Sequence, residues 1–196
     1  MVSNDFGSVE TGEIIVNMNT TWSTDGLVGW WKFDEGSGTV AYDSSGNGND
    51  GSLTNGPTWT AGKIGGALSF DGVDDKVVLT DQSYPTGNHA SLSFWAYGGE
   101  DLPNQTQVFV SRDSLNNTLL NVHLTWVNQT GDESYVVFWY IGNPSDTNRI
   151  NQPGVSVDFI GSWRHWSLTK NHLTGEMIIF KDGSAFHRDS NKLQPS

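Results

Sequence analysis

The sequence predicts an all-β protein folded as a two-sheet antiparallel β-sandwich or jelly roll. Three observations lead there. About ten short apolar runs follow one another, each closed by Gly, Asn, Asp or Ser turn signals. No segment carries the 3.6-residue periodicity of a helix. Of 196 residues, 23 are Gly and 12% are aromatic, while only 16% are charged, so the Ala, Glu, Lys and Leu richness of helical bundles is missing.

Residues 1–24 are polar and read as an N-terminal extension or linker, with one apolar stretch at Glu13–Met18. Residues 25–196 read as one domain. Within it, Leu27–Phe33 is apolar and aromatic, Gly36–Gly38 breaks it, and Val40–Tyr42 resumes. Asp43–Gly51 is a loop. Ala67–Phe70 and Lys76–Thr80 read as strands flanking the turn Asp71-Gly72. Later strands are expected at Ser91–Tyr97, Gln107–Ser111, Leu119–Val127, Tyr135–Ile141, Val155–Ile160, Arg164–Lys170 and Met177–Lys181. His172–Glu176 is a hairpin loop in which Gly175 supplies the positive φ.

Period-2 alternation is clearest at Leu119–Val127. Leu120, Val122, Leu124 and Trp126 share one face, and Asn121, His123 and Thr125 share the other, which should meet solvent or a groove. Tyr135–Ile141 is apolar on both faces. It reads as a central strand covered on both sides, or as a strand with one aromatic face serving as a ligand platform.

Sixteen Asp and six Glu against ten Lys plus Arg give a net charge of −12. Such a surface argues against nucleic acid, whose phosphates are held by Lys and Arg, and against an anionic membrane surface. The longest apolar run, Val136–Ile141, is far below the ~20 residues of a membrane helix, so no membrane insertion is expected. Met1–Asp5 lacks the basic and apolar regions of a secretory signal. There is no Cys, which excludes disulfides, thiolate catalysis and Cys-based metal sites.

Three blocks in order carry a family likeness: Gly29–Thr39 (GWWKFDEGSGT), Asp43–Gly51 (DSSGNGNDG) and Gly65–Asp75 (GGALSFDGVDD). With Ser93-Phe94-Trp95, Trp163–Thr169 and Ile178–Gly183, they resemble the LamG-like jelly-roll domains of the concanavalin A-like lectin/glucanase superfamily. The likeness runs from Leu27 to Gly183; residues 98–155 share only the pattern. The resemblance implies a two-sheet jelly roll and a non-catalytic module of extracellular or cell-surface proteins. It also implies a closing strand pair with an acidic segment, and nothing of that kind follows Gly183. An open edge is therefore expected there, with the chain a fragment of a longer protein, Glu13–Met18 in the slot, or a partner chain donating the strand.

Asp34, Asp43, Asn47, Asn49 and Asp50 offer hard oxygens of the kind calcium takes. The EF-hand pattern fails, because Thr54 stands at its twelfth position. Some members of the resembled superfamily hold a structural calcium near these blocks, so calcium is the implied cofactor. The alternative is a turn whose Asp and Asn side chains bond their own backbone.

For sugar, the logic is an aromatic ring under the apolar face of a pyranose, with placed polar groups beside it. Trp139 or Tyr140, with Arg112, Asn121, His123 and Thr125, are the candidates, although most Trp residues belong to cores. A glycosidase needs two flanking carboxylates. The strands are nearly free of acids, with Asp132-Glu133 in a turn and Asp158 alone, so no enzyme is expected. The sequence thus points to a binding or adhesion module recognising a glycan or protein surface. The alternative is a structural or decoration subunit of a virion or surface layer, packed against copies of itself or other subunits.

Overall fold

The computed structural model describes residues 26–79, 89–99, 105–112, 114–126, 135–141, 149–155 and 158–192. The N-terminal extension with Glu13–Met18, and Asp132-Glu133, lie outside them. Among the described residues the chain is all-β, its strands pair antiparallel with one isolated parallel bridge between Gly98 and Ile160, and no helix is long and apolar enough to cross a membrane.

Two small sheets come first. β1 (Val40–Ala41), β2 (Gly51–Thr54) and β5 (Lys76–Val78) pair in the order β1-β2-β5. β3 (Thr58–Ala61) and β4 (Gly66–Ser69) form a hairpin. Leu27–Phe33 is not a strand, contrary to its apolar pattern; only Trp31 bridges, to Asp43. Its backbone is held by side chains instead. The Leu27 and Val28 carbonyls accept from the Asn47 amide at 2.6 and 3.2 Å, and Val28 also accepts from Asn49 at 2.8 Å. Phe33 then turns the chain out of extension at a φ of 61°.

The body of the protein is a sandwich of two four-stranded sheets. One contains β7 (Gln105–Arg112), β8 (Thr118–Trp126), β9 (Tyr135–Ile141) and β10 (Arg149–Gly154), wired as a meander. The other contains β6 (His89–Tyr97), β11 (Trp163–Asn171), β12 (Glu176–Lys181) and β13 (Ser184–Asp189), in the order β13-β12-β11-β6. Leu120, Val122, Leu124, Val137, Trp139, Ile141 and Ile150 from the first sheet meet Ala90, Trp166, Leu168, Met177 and Ile179 from the second. Phe159 stacks on Trp166 at 5.7 Å, and Phe186 meets the same indole edge-on at 5.6 Å.

Leu120, Val122 and Leu124 of β8 are buried as expected, the Trp126 side chain lies outside the described ones, and β9 is a central strand as expected. Three expectations need correction. Val155 and residues 158–160 are not in a strand: Val155 and Asp158 bond to each other, 156–157 lie outside the described residues, and the strand lies earlier, at β10. Pro153, which cannot donate to a ladder, is accommodated because β10 is an edge. The edge after Gly183 is not open either. Asp182 and Gly183 both have positive φ, 50° and 82°, the requirement of a two-residue type I′ hairpin, and the chain returns as β13 against β12. Finally, His123 does not face solvent. It is only 4% exposed, because β8 is flanked on both sides and the register sets His123 between Gln107 and Phe138.

Candidate functional site

The proposed calcium loop is tied together by its own hydrogen bonds. Asp43 Oδ1 accepts from the backbone N–H of Trp30 (2.9 Å) and Ser45 (2.8 Å), and Oδ2 accepts from Ser45 Oγ (2.7 Å) and Asn49 N–H (3.0 Å). Burial works to raise this carboxyl, but the bonds from Ser45, Trp30 and Asn49 outweigh it and hold its pKa at about 2. Asp50 accepts from Asp43 N–H, and Asp34 accepts from Gly66 N–H at 2.7 Å, thirty-two residues along the chain. Asn47 and Asn49 point their amides at the 27–28 carbonyls. Thus Asp43, Asn47, Asn49 and Asp50 come together, Asp34 serves a different junction, and all five act as backbone staples.

A tighter acid group lies elsewhere. Asp71, Asp74 and Asp75 can bring one carboxylate oxygen each within 4.8 Å of one another. Asp71 accepts from Val73 and Asp74 N–H, which holds its carboxyl below the ordinary range, and Asp75 accepts from Asp71 N–H. The sequence reading placed these residues in the third family block without giving them a ligand role.

The expected sugar residues are divided between the two faces of the β7–β10 sheet. Trp139 is a correction: at 1% exposure it lies in the inter-sheet core, where no ligand can stack on it. On the outer face, one row runs Val110, Asn121, Tyr140, Arg149, and the next holds Gln107, His123 and Asn151. Asn121 and Tyr140 are therefore neighbours, and Asn121 Oδ1 accepts from Gln107 Nε2 at 2.8 Å. Tyr140 is 8% exposed, which leaves little ring for stacking. Burial pushes the His123 imidazole down to about 4. Arg112 stands at the end of β7, bonded to Thr118 Oγ1 at 2.8 Å. Thr125 belongs to β8 opposite Thr106, and its side chain is outside the described ones.

A different face gathers what a sugar site needs. Leu92, Phe94 and Ala96 of β6 pack inward, and Trp166 and Leu168 of β11 do the same. Alternation turns the remaining side chains outward as rungs: Tyr97 beside Trp163, Trp95 beside His165, Ser93 beside Ser167, Ser91 beside Thr169. The Tyr97 and Trp163 rings lie 5.7 Å apart at 55°, and Trp95 and His165 lie 5.1 Å apart at 54°. Tyr97 is 53% exposed. Ser167 Oγ donates to Ser93 Oγ at 2.9 Å, and Ser93 Oγ lies 2.9 Å from His165 Nε2. Burial pushes the His165 imidazole down, toward its neutral form. Lys63, from the β3–β4 turn, sits 5.9 Å from the Trp95 ring. The sequence carried part of the signal for this face, since Ser91–Phe94 and His165–Thr169 alternate between polar and apolar residues.

The fold and these faces define an all-β sandwich domain with polar-aromatic outer sheet surfaces. Neither a scan of protein-family models nor a search of curated proteins gave a match. Among solved structures, Domain 4 of AbnA, a GH43 extracellular arabinanase from Geobacillus stearothermophilus solved in complex with arabinotriose, is similar. The likeness covers 84% of this chain and 75% of that one, with a TM-score of 0.57 and 19% identity. An S-layer domain-containing protein from Clostridium thermocellum matches over 82% and 71%, with a TM-score of 0.49 and 23% identity. The likeness to the arabinanase domain shows a shared fold.

Proposed function

We propose that this chain is a non-catalytic, LamG-like binding module of an extracellular or cell-surface protein, and that it recognises glycan. The observation that carries this reading is the outer face of β6 and β11, where the exposed Tyr97 ring and the half-buried Trp163 and Trp95 rings stand in line with a hydroxyl–imidazole hydrogen-bond chain. Such a face offers apolar stacking and oriented polar groups together. Neither strand carries an acid, and the carboxylate of Glu176 on neighbouring β12 is paired with Arg188 at 3.2 Å, so the two strands themselves supply no carboxylate pair of the kind a glycosidase uses. The three N-terminal sequence blocks support the LamG-like assignment, and a domain of the same fold has been solved with arabinotriose.

The test is a glycan array with the purified chain, paired with a reducing-sugar assay on every glycan bound. Binding without release of reducing ends is expected; release would overturn the non-catalytic reading. A second reading, a building block of a surface layer or virion, is favoured by the apolar side chains displayed by residues 26–79: Trp30 is 51% exposed, Tyr42 58% and Val73 83%. Concentration-dependent assembly in light scattering, with an empty glycan array, would favour it.

A further inference from the structure

We propose that the outer strip of β6 and β11 binds a neutral oligosaccharide chain laid along the strands, with Trp163 and Tyr97 stacking against sugar rings and Ser93, Ser167 and His165 bonding their hydroxyls. This rests on the binding-module reading above and adds the place and class of the ligand. Length is the first argument. Rungs on one sheet face repeat every two residues, so the strip from Tyr97/Trp163 to His89/Asn171 runs ~27 Å at ~3.4 Å per residue. That suits several linked sugars rather than one.

Charge is the second argument. The chain carries a net −12, yet β6 and the outward side chains of β11 contain no Asp, Glu, Lys or Arg. An anionic polysaccharide would meet repulsion from the whole molecule and find no cation on the rungs themselves, with only Lys63 reaching over from the β3–β4 turn to Trp95. A neutral one loses nothing by the missing charge.

Hydrogen-bond direction is the third argument. Ser167 donates to Ser93, and Ser93 meets His165 Nε2 as donor or as acceptor according to the imidazole tautomer. In either tautomer the trio keeps one polar hydrogen and several lone pairs beyond its own bonds, so it offers both donor and acceptor. A sugar hydroxyl, itself donor and acceptor, can join such a chain; a carboxylate or sulfate can only accept. The aromatic end supplies the complementary apolar contact, with Tyr97 53% exposed beside Trp163.

The experiment is affinity gel electrophoresis of the full chain in arabinan, xylan and mixed-linkage β-glucan, with polygalacturonate and alginate as anionic probes. The variants are Trp163→Ala, Tyr97→Ala and Ser93→Ala. Near-UV circular dichroism confirms that each is folded; Tyr97→Ala and Ser93→Ala change exposed residues and keep the test decisive if Trp163→Ala does not fold. The expected result is retardation by at least one neutral polymer, weakened at least tenfold in the folded aromatic variants, with none by the anionic polymers. Retardation by a neutral polymer that all folded variants retain would overturn the strip while leaving the binding module standing. Retardation only by anionic polymers would overturn the ligand class. No retardation by any polymer would overturn both this inference and the glycan reading.

Discussion

Replacing Asp43 tests whether the 43–50 loop is stapled or ion-bound. Asp43→Ala removes the acceptor of three backbone N–H groups, those of Trp30, Ser45 and Asn49. The Trp30 donor is exposed and turns to water at little cost, whereas those of Ser45 and Asn49 are partly buried. Each of these two, left without its charged acceptor, costs about 1 kcal/mol, for a loss of about 2 kcal/mol. In a domain of this size that lowers Tm by about 4–8 °C. Asp43→Asn keeps one acceptor oxygen and should lose about half as much. The sign of the pH dependence follows from the folded pKa, lowered from 3.8 to about 2. The stabilisation is complete above pH 3.8 and disappears as pH falls through 2, so the deficit of the Ala variant should shrink on acidification. Solvent screening of this partly exposed group limits the pH-linked part to about 1 kcal/mol. The assay is thermal unfolding by circular dichroism in EDTA and in millimolar calcium at fixed ionic strength. Equal deficits in both buffers are expected. A wild-type Tm that rises several degrees with calcium, with the gain lost in Asp43→Ala, would refute the staple and make this carboxylate an ion ligand.

Three further outcomes follow from the same structure. The His123 imidazole, lowered by burial from 6.5 to about 4, should make wild-type stability fall as pH drops from about 6.5 to 4, by up to about 3 kcal/mol; urea titrations of His123→Gln should lose that share of the slope and keep the part due to His165, which burial also lowers. Lys170 is 1% exposed, donates to the Ile141 carbonyl at 3.3 Å, and is pushed by burial from 10.5 down to about 8. Its charged form opposes folding below pH 8 and ceases to do so as pH rises toward 10.5, so Lys170→Met should raise Tm at pH 7 and lose that advantage at pH 10. At Gly66 a Cβ would run into the Phe33 carbonyl oxygen, so Gly66→Ala should cost about 3 kcal/mol and shift backbone amide signals at 33–34 and 65–66 in NMR spectra.

What could be read from the sequence was whatever a strand writes in its own side chains. β8 and β9 alternate or run apolar because they fill the core, and both are where the pattern puts them. β2 (GSLT), β3 (TWTA), β10 (RINQPG) and β13 (SAFHRD) are polar pieces of small sheets or sheet edges. They are strands because a neighbour's ladder takes them, and that partner lies across a connection that runs from two residues at β12–β13 and four at β3–β4 to more than twenty between β2 and β5. Leu27–Phe33 fails in the opposite direction: it has strand composition, but Asn and Asp side chains hold its backbone groups. The candidate ligand residues divide on the same principle. Which face of β9 is inside depends on register, so Trp139 and Tyr140 could not be separated from composition alone. The outward Trp163 and Tyr97 could have been, from the inward Leu92, Phe94, Trp166 and Leu168 that alternate with them.

The rungs that pair β6 with β11 have a consequence for when the molecule becomes competent. Ser93 and His165 are 72 positions apart, and the whole β7–β10 meander lies between them. Every other pairing in the two large sheets joins consecutive strands, so those hairpins can zip locally, while this one must close a long loop at an entropic cost of ~4 kcal/mol by the logarithmic scaling. Such contacts form late in folding. Because the Trp163–Tyr97 pair and the Ser93–Ser167–His165 chain straddle that seam, part of each belongs to a strand made before the meander and part to one made after it. A nascent or partly folded chain therefore holds neither half in place, and ligand capture would report that the sandwich has closed.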